Sequence, residues 1–147
     1  MTKPFRLLIA VAAAVSVSAA AFAQATSYRG RLSPVPIANA AAGATVKGVG
    51  SATATLKGTT LTINGTFEGL VTGATTAKLH VGRKTGVRGP EAADLQVTKA
   101  MSGTVSGTVT LTKEQLQDLA QGKLYVQIQS EKAPEGNLWG WLLPEKK

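Results

Sequence analysis

Thr60-Leu61-Thr62-Ile63-Asn64-Gly65-Thr66-Phe67-Glu68 places Leu61, Ile63 and Phe67 on one side of an extended chain and five polar residues on the other. A period of two is the mark of a strand with one buried face. The period recurs in Thr104–Leu111, where Val105, Val109 and Leu111 alternate with Thr104, Ser106, Thr108 and Thr110. It recurs again in Lys123–Ser130, where Leu124, Val126 and Ile128 alternate with Tyr125, Gln127 and Gln129. Turn chemistry separates such runs: Lys57-Gly58-Thr59 reads as a hairpin, and Ala133-Pro134-Glu135-Gly136 as the turn between the last two strands. One segment has the other period. Leu116, Leu119 and Ala120 lie at helical spacing, Thr112 with Gln115 makes a capping box, and Gly122 is a stop. One short helix at about 112–121 is therefore expected, bridging two strands. Pro34, Pro36 and the Ala38–Ala44 stretch read as a loose connection. Short, regularly spaced strands with a single helix predict an all-β, antiparallel β-sandwich, because a parallel sheet needs a helix between most strands.

The chain has 147 residues, which suits one domain. Its formal charge is +8. Cysteine is absent and His80 is the only histidine, so disulfides, thiolate metal sites and multi-imidazole metal sites are not expected. No cofactor, catalytic residue or metal ligand is assigned. Lys3 and Arg6, the apolar run Leu7–Val17 and the A-x-A site Ala21-Phe22-Ala23 form a three-part secretory signal. The expected organisation is a cleaved signal over 1–23 and a single domain over 24–147, exported to the periplasm or beyond the cell. No further apolar run in 24–147 is long enough to span a membrane.

Two blocks resemble the CHRD (chordin) domain. The first is Phe67-Glu68-Gly69-Leu70 followed by Ala77-Lys78-Leu79-His80-Val81-Gly82. The second is Leu124-Tyr125-Val126-Gln127-Ile128-Gln129-Ser130 followed by Ala133-Pro134-Glu135-Gly136-Asn137-Leu138-Trp139-Gly140-Trp141-Leu142. Tyr28–Pro36 is similar to the family's opening. The resemblance implies an immunoglobulin-like domain of exported proteins. In chordin such domains accompany binding of secreted growth factors. The chain departs from the family pattern at several polar positions. Lys78 and Gln129 stand at histidine positions, Gln127 at an asparagine, Asn137 and Trp139 at a glutamate and an arginine, and Trp141 at a glutamine.

Alternation sorts these positions by face. With Ala77, Leu79 and Val81 inward, Lys78 and His80 point outward. With Leu124, Val126 and Ile128 inward, Tyr125, Gln127 and Gln129 point outward. With Leu138, Gly140 and Leu142 inward, Trp139 and Trp141 point outward. This outer face is the candidate binding surface. Three arrangements remain open: a loop or the N-terminal segment covers the tryptophans, they form an exposed platform for a glycan, a peptide or a partner sheet, or they make a dimer contact. The Gly82–Gly89 loop carries Arg83, Lys84 and Arg88 with no acid, and is a candidate anion-binding loop.

The expected function is a binding or interaction module, not an enzyme. Its partner would be a cell-envelope polymer, a glycan or another exported protein. Nucleic acid is not expected, because the basic charge is dispersed and no reading motif is present. The alternatives are a metal-dependent enzyme on a superoxide-dismutase-like sandwich, disfavoured by the single histidine, and a purely structural envelope protein. The sequence does not specify an oligomeric state.

Overall fold

The computed structural model describes residues 24–146; the secretory signal expected over 1–23 lies outside the described residues. The elements run β1 (Thr26–Pro34), a one-turn α1 (Ala40–Gly43), β2 (Val49–Lys57), β3 (Thr60–Glu68), β4 (Ala74–Val81), β5 (Glu91–Val97), β6 (Gly103–Thr110), α2 (Lys113–Ala120), β7 (Leu124–Ser130), β8 (Ala133–Trp141) and β9 (Leu143–Pro144). Every pairing between strands is antiparallel. Among the described residues no helix is long and apolar enough to cross a membrane.

Local chemistry accounts for the joints. Lys57 pairs with Thr60, leaving Gly58-Thr59 as a two-residue hairpin loop. Gly58 has φ +60 and, among the described residues, no non-glycine residue has positive φ, which is the type II′ pattern that matches strand twist. At α2 the Thr112 hydroxyl accepts from the Gln115 amide at 3.2 Å, and the Gln115 side chain accepts from the Thr112 amide at 3.0 Å. The capping box thus forms as its spacing predicts. The last turn lies elsewhere than expected. Glu131 and Lys132 make it, and Ala133–Gly136 already belongs to β8. Ser130 pairs with Ala133 and Ile128 with Leu138, so the segment between them bulges out of the ladder. Pro134 sits in that bulge, where its missing N–H breaks no ladder bond.

The strands do not form an open immunoglobulin-like sandwich. In the order β1-β2-β3-β6-β5-β4-β7-β8 they return to β1 and close an eight-stranded antiparallel barrel, with β9 added beside β1. Two strands make the corners. Thr26–Leu32 of β1 pairs with β2, and its last residues, Ser33 and Pro34, pair with Trp139 and Leu138 of β8. Across the barrel, β5 pairs with β4 through Glu91–Leu95 and with β6 through Gln96 and Val97. A strand that changes neighbour along its length turns two sheets into one continuous wall. Alternation reports that one face of a strand is buried and says nothing about which edge meets which. It therefore describes a sandwich and a flattened barrel equally well.

The predicted phase is correct. Leu61, Ile63, Leu79, Leu124, Val126, Ile128, Leu138 and Leu142 are all fully buried inside the barrel. Each such side chain stabilises the fold by roughly 1.5–3 kcal/mol through burial. The same phase directs His80, Tyr125, Gln127, Trp139 and Trp141 to the outside of the wall formed by β4, β7 and β8.

Candidate functional site

On that outer wall the ladder sets the candidate residues in rows. His80 pairs with Tyr125, and Tyr125 with Trp141; Lys78 pairs with Gln127, and Gln127 with Trp139. Residues opposite each other on one face come close enough to touch. His80 stacks on Tyr125 with ring centroids 4.9 Å apart and planes 16° from parallel. Tyr125 lies 4.3 Å from Trp141 and 5.7 Å from Trp139, and the two indoles meet edge to face at 5.4 Å. Each such pair contributes roughly 0.5–1.5 kcal/mol beyond its burial. The sequence-predicted face is thus a real cluster.

It is not an open platform. The Gly82–Pro90 segment folds over it, and Tyr125 is 1% exposed, Gln127 4% and His80 7%. Trp139 and Trp141 are half-buried. One residue, Gly89, fastens the cover. Its amide donates to the Tyr125 hydroxyl at 3.2 Å, the hydroxyl lies 3.3 Å from its carbonyl, and His80 Nδ1 lies 3.1 Å from that carbonyl. A carbonyl only accepts, so the neutral imidazole carries its proton on Nδ1 and presents Nε2 as an acceptor. Glycine is required at two points. A Cβ on Gly82 would fall 2.6 Å from Trp141 Cη2, and one on Gly89 would run into the Val81 carbonyl. Three buried polar atoms of this layer have no protein partner: His80 Nε2, Gln127 Oε1 and Trp141 Nε1.

Lys78 and Gln129 stand apart from the aromatic rings. Lys78 Nζ reaches Glu91 at 2.6 Å and Asp94 at 3.6 Å on β5. Its hydrogen bond to Glu91 raises the Lys78 pKa and lowers that of Glu91. Gln129 accepts from the Thr76 hydroxyl at 2.9 Å. Among the described residues no three His, Asp or Glu side chains gather to hold a metal ion.

The basic loop divides. Arg83 and Lys84 are exposed at its tip, where the Lys84–Val87 bridge and Gly86, at φ +84, make a tight turn. The amides of Gly82, Val87 and Gly89 already donate within the protein, to Lys123, Lys84 and Tyr125. They do not form the anion cradle that the Gly-rich sequence suggests. Arg88 turns the other way. Its Nη1 donates to the Glu135 carbonyl at 3.0 Å, and its guanidinium carbon lies 5.8 Å from the Trp139 ring centroid.

Arg88 and Trp139 lead to a feature that residue-by-residue reading missed. Val35, Val46 and Ala133 form a small second core, against which Ala42 and Trp139 pack. Above it lies a groove of about 410 Å³, walled by Val35, Ile37, Ala42 and Val46 on one side and by Ala133 and Pro134 on the other. Asn39 caps α1 by accepting from the Ala42 amide at 3.0 Å, and buried Asn137 ties this wall to β8 by donating to the Lys47 carbonyl at 2.7 Å. Arg88, Lys132 and Glu135 also line the groove. The only sequence trace of it was the Pro34–Ala44 connection, whose exposed Ile37 has no period to report its side.

A family model described as the CHRD domain matches residues 32–142, from the end of β1 through the last residue of the aromatic wall and beyond it to Leu142. The chain belongs to the CHRD domain family. The match covers both blocks that carry the resemblance, and with them every residue of the aromatic cluster and of its cover. No curated protein and no solved structure matches the chain. In this CHRD domain the histidine and the two tryptophans of the closing strands build one covered layer beside one open groove.

Proposed function

We propose that this CHRD domain is a binding module, without catalysis, whose ligand seats an apolar group in the groove beside Trp139. The observation that carries the reading is the groove itself: about 410 Å³, with apolar walls and a mouth bearing a few polar groups. That size and lining are typical of small-ligand sites. The small core of Val35, Val46 and Ala133, against which Trp139 packs, lies beneath it. A glycan platform is less well supported, since stacking on sugars needs open ring faces and Tyr125 is 1% exposed. The secretory pattern of Met1–Ala23 supports action in the periplasm or outside the cell, where an envelope component or another exported protein could supply the apolar group.

The test uses N-phenyl-1-naphthylamine, an uncharged apolar dye, with the chain from Gln24 onward. Saturable fluorescence enhancement is expected. Ala41 lines the groove and is exposed, so Ala41→Phe fills the space without disturbing the core. The enhancement should vanish in this variant. No enhancement in the native chain, or equal enhancement in both proteins, overturns the reading.

A further inference from the structure

The groove has a chemical direction. Its walls are aliphatic, while two cations stand at its lip, Arg88 on the cover segment and Lys132 in the β7–β8 turn. Among the described residues neither is paired with a carboxylate within 4.0 Å. Glu135 shares the lip, yet the partner it gives Arg88 is its backbone carbonyl, 3.0 Å from Nη1. That bond and the Trp139 ring 5.8 Å beneath hold the guanidinium in place. One nitrogen is used and the remaining N–H groups of the fork stay available. A fixed guanidinium fork matches a carboxylate in two parallel hydrogen bonds. Strand addition by a peptide has no purchase here, because the Val35 amide already donates to the Asn137 carbonyl at 3.0 Å.

We propose that the groove binds a free, single-chain anionic amphiphile, with a medium-length alkyl chain against Val35, Ile37 and Val46 and its carboxylate at Arg88 and Lys132. This deepens the binding-module reading and rests on it. The ligand is a monomeric carboxylate; a membrane surface, which would present many headgroups, is the rival occupant.

The experiment displaces bound N-phenyl-1-naphthylamine with dodecanoate, dodecanol or dodecyltrimethylammonium, all below micelle formation. Dodecanoate is expected to displace the dye at concentrations roughly tenfold lower than dodecanol, the factor one charge-assisted contact supplies. The cationic chain should be the poorest. Lys132→Gln, an exposed position, should remove most of the preference for dodecanoate and leave dodecanol unchanged. Arg88→Gln should do the same, with circular dichroism confirming that the Trp139 packing survives. Equal displacement by dodecanoate and dodecanol overturns the anionic assignment while the apolar groove stands. Failure of the dye to bind overturns both. Flotation of the protein with anionic vesicles, without displacement by dodecanoate, assigns the surface to a membrane and overturns the proposal.

Discussion

Tyr125 fastens a whole loop through one oxygen. Its hydroxyl accepts from the Gly89 amide and faces the Gly89 carbonyl, while its ring is gripped between His80 and Trp141. Tyr125→Phe keeps the ring and removes the oxygen, leaving a part-buried N–H unpaired. A net loss of about 1–2 kcal/mol is expected, read as a lower urea midpoint with an unchanged slope. Iodide should also quench the tryptophans more readily, because the cover over them loosens. An unchanged midpoint would mean that water replaces the hydroxyl and that the cover is held by its glycines alone. The Lys78–Glu91 pair, by contrast, is exposed and contributes little. Its sign is nonetheless fixed. The lowered Glu91 pKa adds stability that is complete above the ordinary carboxylate range and fades as pH falls through the lowered value. The raised Lys78 pKa adds stability that is complete below the ordinary lysine value and fades as pH rises through the raised one.

The cover segment behaves as an element although it contains no strand or helix. It has room for its path only because Gly82 and Gly89 lack side chains. Gly89→Ala would drive a methyl into the Val81 carbonyl, and the segment would have to lift. Red-shifted, more quenchable tryptophan emission is expected, with far-ultraviolet dichroism unchanged because the ladder lies beneath. Emission identical to the native protein would show that the backbone absorbs the methyl in place. Elements with a strict period were legible in the sequence: β3, β6 and β7 through their alternation, α2 through Thr112 and Gln115. The phase of β4 and β8 was legible too, and with it the membership of the aromatic cluster. Three things were not. β5 reads Glu-Ala-Ala-Asp-Leu-Gln-Val, with one large apolar residue buried at Leu95, too few to mark a face. The cover depends on contacts between Gly89 and Tyr125, 36 residues apart, which no local pattern encodes. The groove is walled by a connection, a one-turn helix and a bulged strand, none of which has a period.

Closure is a property of the whole molecule, and it rests on β1. Its first seven residues complete the wall beside β2, and Ser33 and Pro34 join that wall to β8. Leu32, just before the change of neighbour, is fully buried in the core with Tyr28. The family match begins at Leu32, inside this strand, so the matched region alone omits most of the closing element. Without β1 the ring opens into a curled sheet whose two terminal strands, β2 and β8, present unpaired N–H and C=O groups. Edges of this kind recruit other chains. The loss of Leu32 also opens the core between Gly50 and Gly140, whose missing side chains its methyl groups stand beside, and the loss of Tyr28 removes a second buried member of the same core. A chain beginning at Val35 is therefore expected to elute as soluble aggregates and to unfold without a cooperative transition. The chain beginning at Gln24 should unfold in one step. A monomeric, cooperatively folding product from Val35 onward would show that β2 and β8 meet directly, and that β1 is an added strand and not the stave that closes the barrel. The groove offers a separate reading of the same experiment. The Val35 amide donates to the Asn137 carbonyl, and in a chain beginning at Val35 that nitrogen becomes a terminal α-amino group with no strand before it. Dye binding should thus be lost with closure even in any fraction that stays monomeric.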